Sequence, residues 1–240
     1  MSAPLHKILA PSRRTAVSGV SAALTIASLI LVGSFSVVHA AANGTVTFSL
    51  DFPNSDPEHY SISVGPDGHV KYECSARISA ESEDRDVYAF EFNLTEPTRA
   101  LIFQLAAEAK YFSGKVDSGN RKLAFTGAKK LVYSDGEHQN AAQYNYSAQP
   151  AIQQLTTLFQ SLASTLEYGR RLSHEHRYQK LALDDELKSM EDQARRGELS
   201  ELDAVKPILQ KIYDDPAVMN VIRARALRIM DISKSPTGSQ

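Results

Sequence analysis

Between Pro150 and Ala194 the apolar residues form two helical stripes with a charged stretch between them. Ile152, Leu155, Phe159, Leu162 and Leu166 are spaced three and four apart, which lines them along one face of a helix. Carried on, that register meets Gly169, Ser173, His176 and Lys180, then turns apolar again at Leu183, Leu187, Met190 and Ala194. The spacing predicts a connector helix whose apolar ends belong to different cores. If the helix breaks or bends, the place expected is between Gly169 and His176, because glycine inside a helix costs about 1 kcal/mol against alanine. Everything before the connector reads as strands with a helix among them, and everything after it reads as helices.

Val46, Phe48, Leu50 and Phe52 alternate with small or polar residues, the mark of a strand with one buried face. Tyr60, Ile62 and Val64 make a second strand, which Gly65-Pro66-Asp67-Gly68 turns back into Val70, Tyr72 and Cys74. An acidic run from Ser79 to Asp86 predicts an exposed connection, followed by a strand at Tyr88, Phe90, Phe92 and Leu94. Thr95 and Pro97 then open a helix with Leu101, Leu105, Ala109 and Phe112 as its stripe. Short strands are expected at Leu123–Thr126, at Lys130–Ser134 and, after the Asp135-Gly136 turn, at about Gln143–Tyr146.

Beyond Gly197, which suits a helix stop, Leu202, Val205, Leu209 and Ile212 form a stripe capped by Ser200 and interrupted by Pro207. Asp214-Asp215-Pro216 predicts a restart, with Met219, Ile222, Ala226 and Ile229 as the last stripe. The fold class is therefore α+β: an antiparallel sheet with helices on one face, followed by a small all-helical C-terminal part. The expected organisation is residues 1–40 as signal peptide, 41–168 as sheet plus two helices, 169–180 as charged connector, 181–232 as helical bundle and 233–240 as a disordered tail.

The Tyr60–Val64 strand, Asp67-Gly68 turn, Val70–Tyr72 strand, helix ending at Tyr111-Phe112, strand meander and closing helix together resemble a secreted bacterial domain family of unknown function, over Glu58–Thr165. Members of that family often carry a cysteine pair just before the first hairpin strand, where this chain has Pro57-Glu58-His59. The resemblance implies an exported domain and brings no chemistry with it.

Lys7, Arg13 and Arg14 lead an apolar, small-residue stretch that ends in Val38-His39-Ala40, and no acidic residue precedes Asp51. This pattern predicts a secretory signal cut after Ala40, placing the protein in the periplasm or outside the cell; the other reading is an uncleaved N-terminal membrane anchor. Beyond Ala40 stand 23 basic and 28 acidic residues, a net charge of −5 that argues against a nucleic-acid partner. The one cysteine, Cys74, forms no internal disulfide and shares strand parity with Val70 and Tyr72, so it reads as a small buried hydrophobe. The sequons at Asn43, Asn93 and Asn145 are taken as chance in a chain with a bacterial kind of signal.

Two clusters are candidates for chemistry. His174 and His176 are candidate metal ligands only if their segment is unwound, because residues two apart on a helix point about 200° from one another. With Arg170, Arg171 and Arg177 beside them, the plainer reading is a solvated connector face. Asp135, Glu137 and His138 set carboxylates beside an imidazole on a turn, the groups of a general base, although Asp-Gly is also what a hairpin turn requires. Asp184-Asp185-Glu186 diverge on a helix, and His59 and His69 flank the first hairpin. No Gly-x-Ser-x-Gly elbow, phosphate-binding glycine loop, dinucleotide fingerprint or Cys-x-x-Cys occurs, and no cofactor is implied.

The leading expectation is an exported, non-enzymatic module of the cell envelope that binds another envelope protein or itself. The alternatives are a secreted hydrolase using Asp135, Glu137 and His138, and a carrier of a small apolar ligand held between sheet and helices.

Overall fold

The turn at Gly65–Gly68 sets the register of the sheet. Gly68 adopts a φ of 84°, the Gly65 amide donates to the His69 carbonyl at 2.8 Å, and the Asp67 carboxylate accepts the His69 amide at 3.0 Å. In this computed structural model, which describes residues 44–77, 85–120, 122–137 and 139–234, that turn joins β2 (His59–Val64) to β3 (His69–Arg77). With β1 (Thr45–Asp51), β4 (Arg85–Asn93), β5 (Ala128–Ser134) and β6 (Gln139–Tyr144) they make a six-stranded sheet in the order β4-β3-β2-β1-β5-β6. Every pairing is antiparallel. The expected signal or anchor segment, most of the acidic connection, His138 and residues 235–240 lie outside the described residues.

Strand alternation sorts the two faces of the sheet. Val46, Phe48, Tyr60, Ile62, Val64, Val70, Tyr72, Cys74, Leu131 and Tyr133 are buried beneath α1 (Glu96–Glu108) and α2 (Pro150–Tyr178), with Phe48 stacked on Phe159 at 5.3 Å. Thr47 and Ser63 hydrogen-bond one another at 2.9 Å on the opposite face. Burying one face this way supplies the main stabilisation of the layer, at about 25 cal/mol per Å² of apolar surface.

Several local expectations need correction. Leu123–Thr126 is not a strand, and the last strand of the meander runs Gln139–Tyr144. In α1 the buried residues are Ile102, Phe103, Leu105 and Ala106, whereas Leu101 is exposed. Phe112 reaches the core through a left-handed turn, Lys110 to Phe112 having φ of 51°, 50° and 64°. Thr95 precedes α1 but does not cap it with its own side chain. Instead Glu201, distant in sequence, accepts the Thr95 amide at 3.1 Å and the Thr95 hydroxyl at 2.6 Å, bringing a carboxylate to the positive end of the helix.

No break falls between Gly169 and His176: α2 runs as one helix of 29 residues. Gly169 is an approach point, since a Cβ there would lie 2.6 Å from Cγ1 of Val205. Ile152 to Leu166 belong to the core under the sheet, and Tyr168 and Leu172 to a second core with Leu183, Leu187, Met190, Leu209, Ile212, Ile222 and Ile229. That second core is built by the C-terminal half of α2 with α3 (Leu183–Arg195), α4 (Lys206–Asp214) and α5 (Asn220–Lys234). Pro207 sits in the first turn of α4, after a separate 3-10 turn at Leu202–Val205. The Asp215-Pro216 restart is delayed to Asn220, leaving Met219 exposed.

Candidate functional site

The residues singled out in the sequence are spread over separate surfaces. His174 and His176 diverge on α2, as the helical geometry requires. His174 lies against the Tyr178 ring with centroids 5.0 Å apart, and Nε2 of His176 meets the Asp215 carboxylate at 2.9 Å. Lys180 donates to the same oxygen of Asp215 at 2.6 Å, and the bonds from Lys180, the Ala217 amide and His176 hold that carboxyl down at about 2. The pair thus ties the end of α2 to the turn before α5. Asp135 accepts the Glu137 amide at 3.1 Å, as a turn aspartate does, while Glu137 points to solvent and His138 lies outside the described residues. His59 and His69 stand at opposite ends of the hairpin, His59 against Asp51 and His69 against Glu91. Among the described residues no group of three His, Cys, Asp or Glu could hold a metal ion, and no helix is long and apolar enough to cross a membrane.

Two buried polar clusters escaped sequence reasoning, because their members lie far apart along the chain. Glu167 projects from α2 into the sheet core and is 5% exposed. It accepts the Tyr72 hydroxyl at 2.6 Å, the Cys74 thiol at 3.3 Å and Nε of Arg170 at 2.9 Å. Burial and then the neighbouring carboxylate push the Cys74 thiol up to about 12, so it stays protonated as a donor and is no nucleophile. The second cluster centres on Glu191 of α3, which receives Arg195, Arg225 and Arg228. Hydrogen bonds from Arg228 and Arg195 hold its carboxyl down at about 2. In both clusters the carboxylate is paired with its neighbours, although Nε of Arg225 is buried with no partner among the described residues, and such pairing suits tying elements together more than turning over a substrate.

A different arrangement occupies the surface beside the ends of β1 and β6. Phe52 (37% exposed), Leu123 (40%), Phe125 (57%) and Tyr146 (44%) form an apolar corner, with the Phe52 and Phe125 rings edge to face at 6.0 Å. Leu123, Phe125 and Tyr146 line a shallow depression of about 410 Å³ floored by Asp117, Gly119 and Asn145.

The backbone beneath this corner is fastened at many points. Asp117 accepts the Gly119 amide at 2.5 Å and the Asn145 amide at 2.9 Å, and these bonds lower its carboxyl below the usual aspartate range. The Asn145 side chain accepts the Thr126 amide at 3.0 Å and donates to the Ala124 carbonyl at 2.9 Å. Lys129, buried at the start of β5, donates to the Thr126 hydroxyl at 2.9 Å and the Asn145 carbonyl at 3.0 Å. Burial lowers the affinity of this ammonium for its proton. The alternation of Leu123 and Phe125 was the one signal of the corner in the sequence, and it reads equally as a strand.

No family model matches the chain, and no curated protein matches it either.

Proposed function

We propose that this chain is an exported, non-enzymatic protein-binding module of the cell envelope, and that the corner of Phe52, Leu123, Phe125 and Tyr146 is its docking surface. The observation that carries this reading is the pairing of exposure with rigidity. Leu123 and Phe125 are exposed on a segment without regular structure, yet Asn145 and Lys129 fasten that segment and Asp117 in turn fastens Asn145. Holding apolar groups exposed is unfavourable for an isolated molecule. A preorganised surface loses less entropy when a partner covers it. Aromatic residues of this kind are also the usual anchors of protein interfaces. The basic lead and apolar stretch before Ala41 support export.

A photo-crosslinking residue placed at position 123 or 125 tests the proposal in intact envelopes. The expected result is one discrete adduct from each position, absent from the exposed control position Lys188 on α3, and abolished in the 123 variant by Phe125→Ser. Equal labelling from all three positions, or none from 123 and 125, would overturn it.

A further inference from the structure

The two edges of the sheet differ in chemistry. β6 presents Gln139, Asn140 and Gln143, whereas β4 reads Tyr88-Ala89-Phe90-Glu91-Phe92. Tyr88, Phe90 and Phe92 lie on the helix side, opposite buried Cys74, Tyr72 and Val70 across the ladder. The three rings form a continuous row at the rim of the core, Tyr88 to Phe90 at 6.5 Å and Phe90 to Phe92 at 5.8 Å, and all three are only partly buried. From Tyr88 to Phe92 this edge has neither proline nor an inward-pointing charge to keep other strands away.

The direction of its backbone groups follows from the register. The Leu94 amide donates to the Gly68 carbonyl at 3.0 Å, and this pair continues the ladder in which Asn93 faces His69. In an antiparallel ladder, hydrogen-bonded and non-hydrogen-bonded pairs alternate. Phe92, Phe90 and Tyr88 therefore bond to β3, whereas the N–H and C=O of Ala89 and Glu91 point out from the edge. The Gly65–His69 bond gives the same parity for β3 from its other side.

We propose that β4 pairs antiparallel with β4 of a second copy of this chain, about a two-fold axis at Phe90, making one continuous sheet across the dimer. What selects a second copy is the symmetry of the row about Phe90: ring, small residue or acid, ring, acid or small residue, ring. Under that axis Phe90 faces Phe90 of the second copy, Tyr88 faces Phe92, and the outward backbone groups of Ala89 meet those of Glu91. Each Ala89–Glu91 pair closes a two-way hydrogen-bonded ring, and the six rings cover one another. No like charges stand directly opposite, because each Glu91 faces an alanine and lies 3.7 Å from Lys71 of its own chain. An interface in which one patch meets its own copy is the isologous kind that closes at a dimer. It uses the edge far from the apolar corner and is independent of what docks there.

The test is light scattering on the full chain across a dilution series, with two variants. The wild type is expected to pass from twice the chain mass to the chain mass on dilution. Ala89→Pro removes an N–H that faces away from β3, so it should leave a folded monomer at every concentration, with its fold checked by circular dichroism. Phe90→Cys should give a disulfide-linked dimer on mild oxidation, since facing non-hydrogen-bonded positions have Cα atoms about 4.5 Å apart, within disulfide reach. Cys74 is buried and does not compete. A wild type that stays monomeric throughout, a dimer unaffected by folded Ala89→Pro, or Phe90→Cys that does not cross-link would each overturn the proposal.

Discussion

Tyr72 on β3 donates its hydroxyl to Glu167 on α2 at 2.6 Å, across 95 residues of sequence, and no water-facing route is needed to satisfy either group. This bond and the Cys74 thiol fix where the long helix crosses the sheet. Tyr72→Phe removes one donor while Arg170 and Cys74 still serve the carboxylate, so it is expected to cost about 1 kcal/mol. Glu167→Leu leaves Arg170 largely buried without its main partner and strands the tyrosine hydroxyl, so a loss of about 3 kcal/mol or more is expected. Chemical denaturation of both single variants and the double variant measures this. The double variant should lose less than the sum of the singles, because the two changes remove one shared interaction.

Much of the fold could be read ahead of the structure wherever short-range chemistry decides it. Asp67-Gly68 encodes its own turn, and Val46, Phe48, Tyr60 and Ile62 declare a buried face by alternation. The failures share a physical cause, which is a partner remote in sequence. Leu123–Thr126 alternates like a strand, but its backbone is engaged by Asn145 from the far side of β6. Gly169 looks like a weak point of the helix until Val205 is set against it. The helix expected at Pro216 starts at Asn220, Asp215 being engaged by the Ala217 amide, His176 and Lys180. The apolar corner could not be assembled from the sequence for the same reason, since Phe52, Phe125 and Tyr146 come from three separate segments.

Glu191 should make the protein acid-sensitive. Its folded value of about 2 lies below the ordinary 4.5, chiefly through hydrogen bonds from Arg228 and Arg195. A depressed carboxyl stabilises the fold above the unfolded value, and that stability is lost as pH falls from about 4.5 towards 2. Glu191→Gln is expected to lower stability by on the order of 2 kcal/mol at pH 7, where three arginines lose their shared anion, and by much less at pH 3. Thermal melts at the two pH values test the difference.

Glu175 should act in the opposite sense. Its Oε2 is buried without a partner among the described residues, and burial, then Glu186 and Asp185, raise the carboxyl to about 7 against the opposing Arg171. A raised carboxyl binds more protons in the folded state than in the unfolded state between about pH 4.5 and 7, so its contribution to stability falls as pH climbs through that window. Glu175→Gln is therefore expected to raise the melting temperature at pH 8 and to change it little at pH 4. A variant no more stable than wild type at pH 8 would remove this assignment.

Gly169→Ala sets two effects of known sign against one another. In an isolated helix the change is favourable by about 1 kcal/mol. Here the new methyl would lie 2.6 Å from Cγ1 of Val205, a branched side chain with little freedom to turn aside, in a helix that is buried at this point. Overpacking of this kind costs about 1–3 kcal/mol, so steric strain should win and the single variant should be destabilised. Val205→Ala alone should also destabilise, by opening a small cavity in the second core. Combining the two lets the added methyl occupy the space that the shortened side chain at position 205 vacates, while the gain in helix propensity remains. The double variant is therefore expected to be more stable than either single one in urea titration. Additive losses would show instead that α2 shifts away from Val205 when the glycine is replaced.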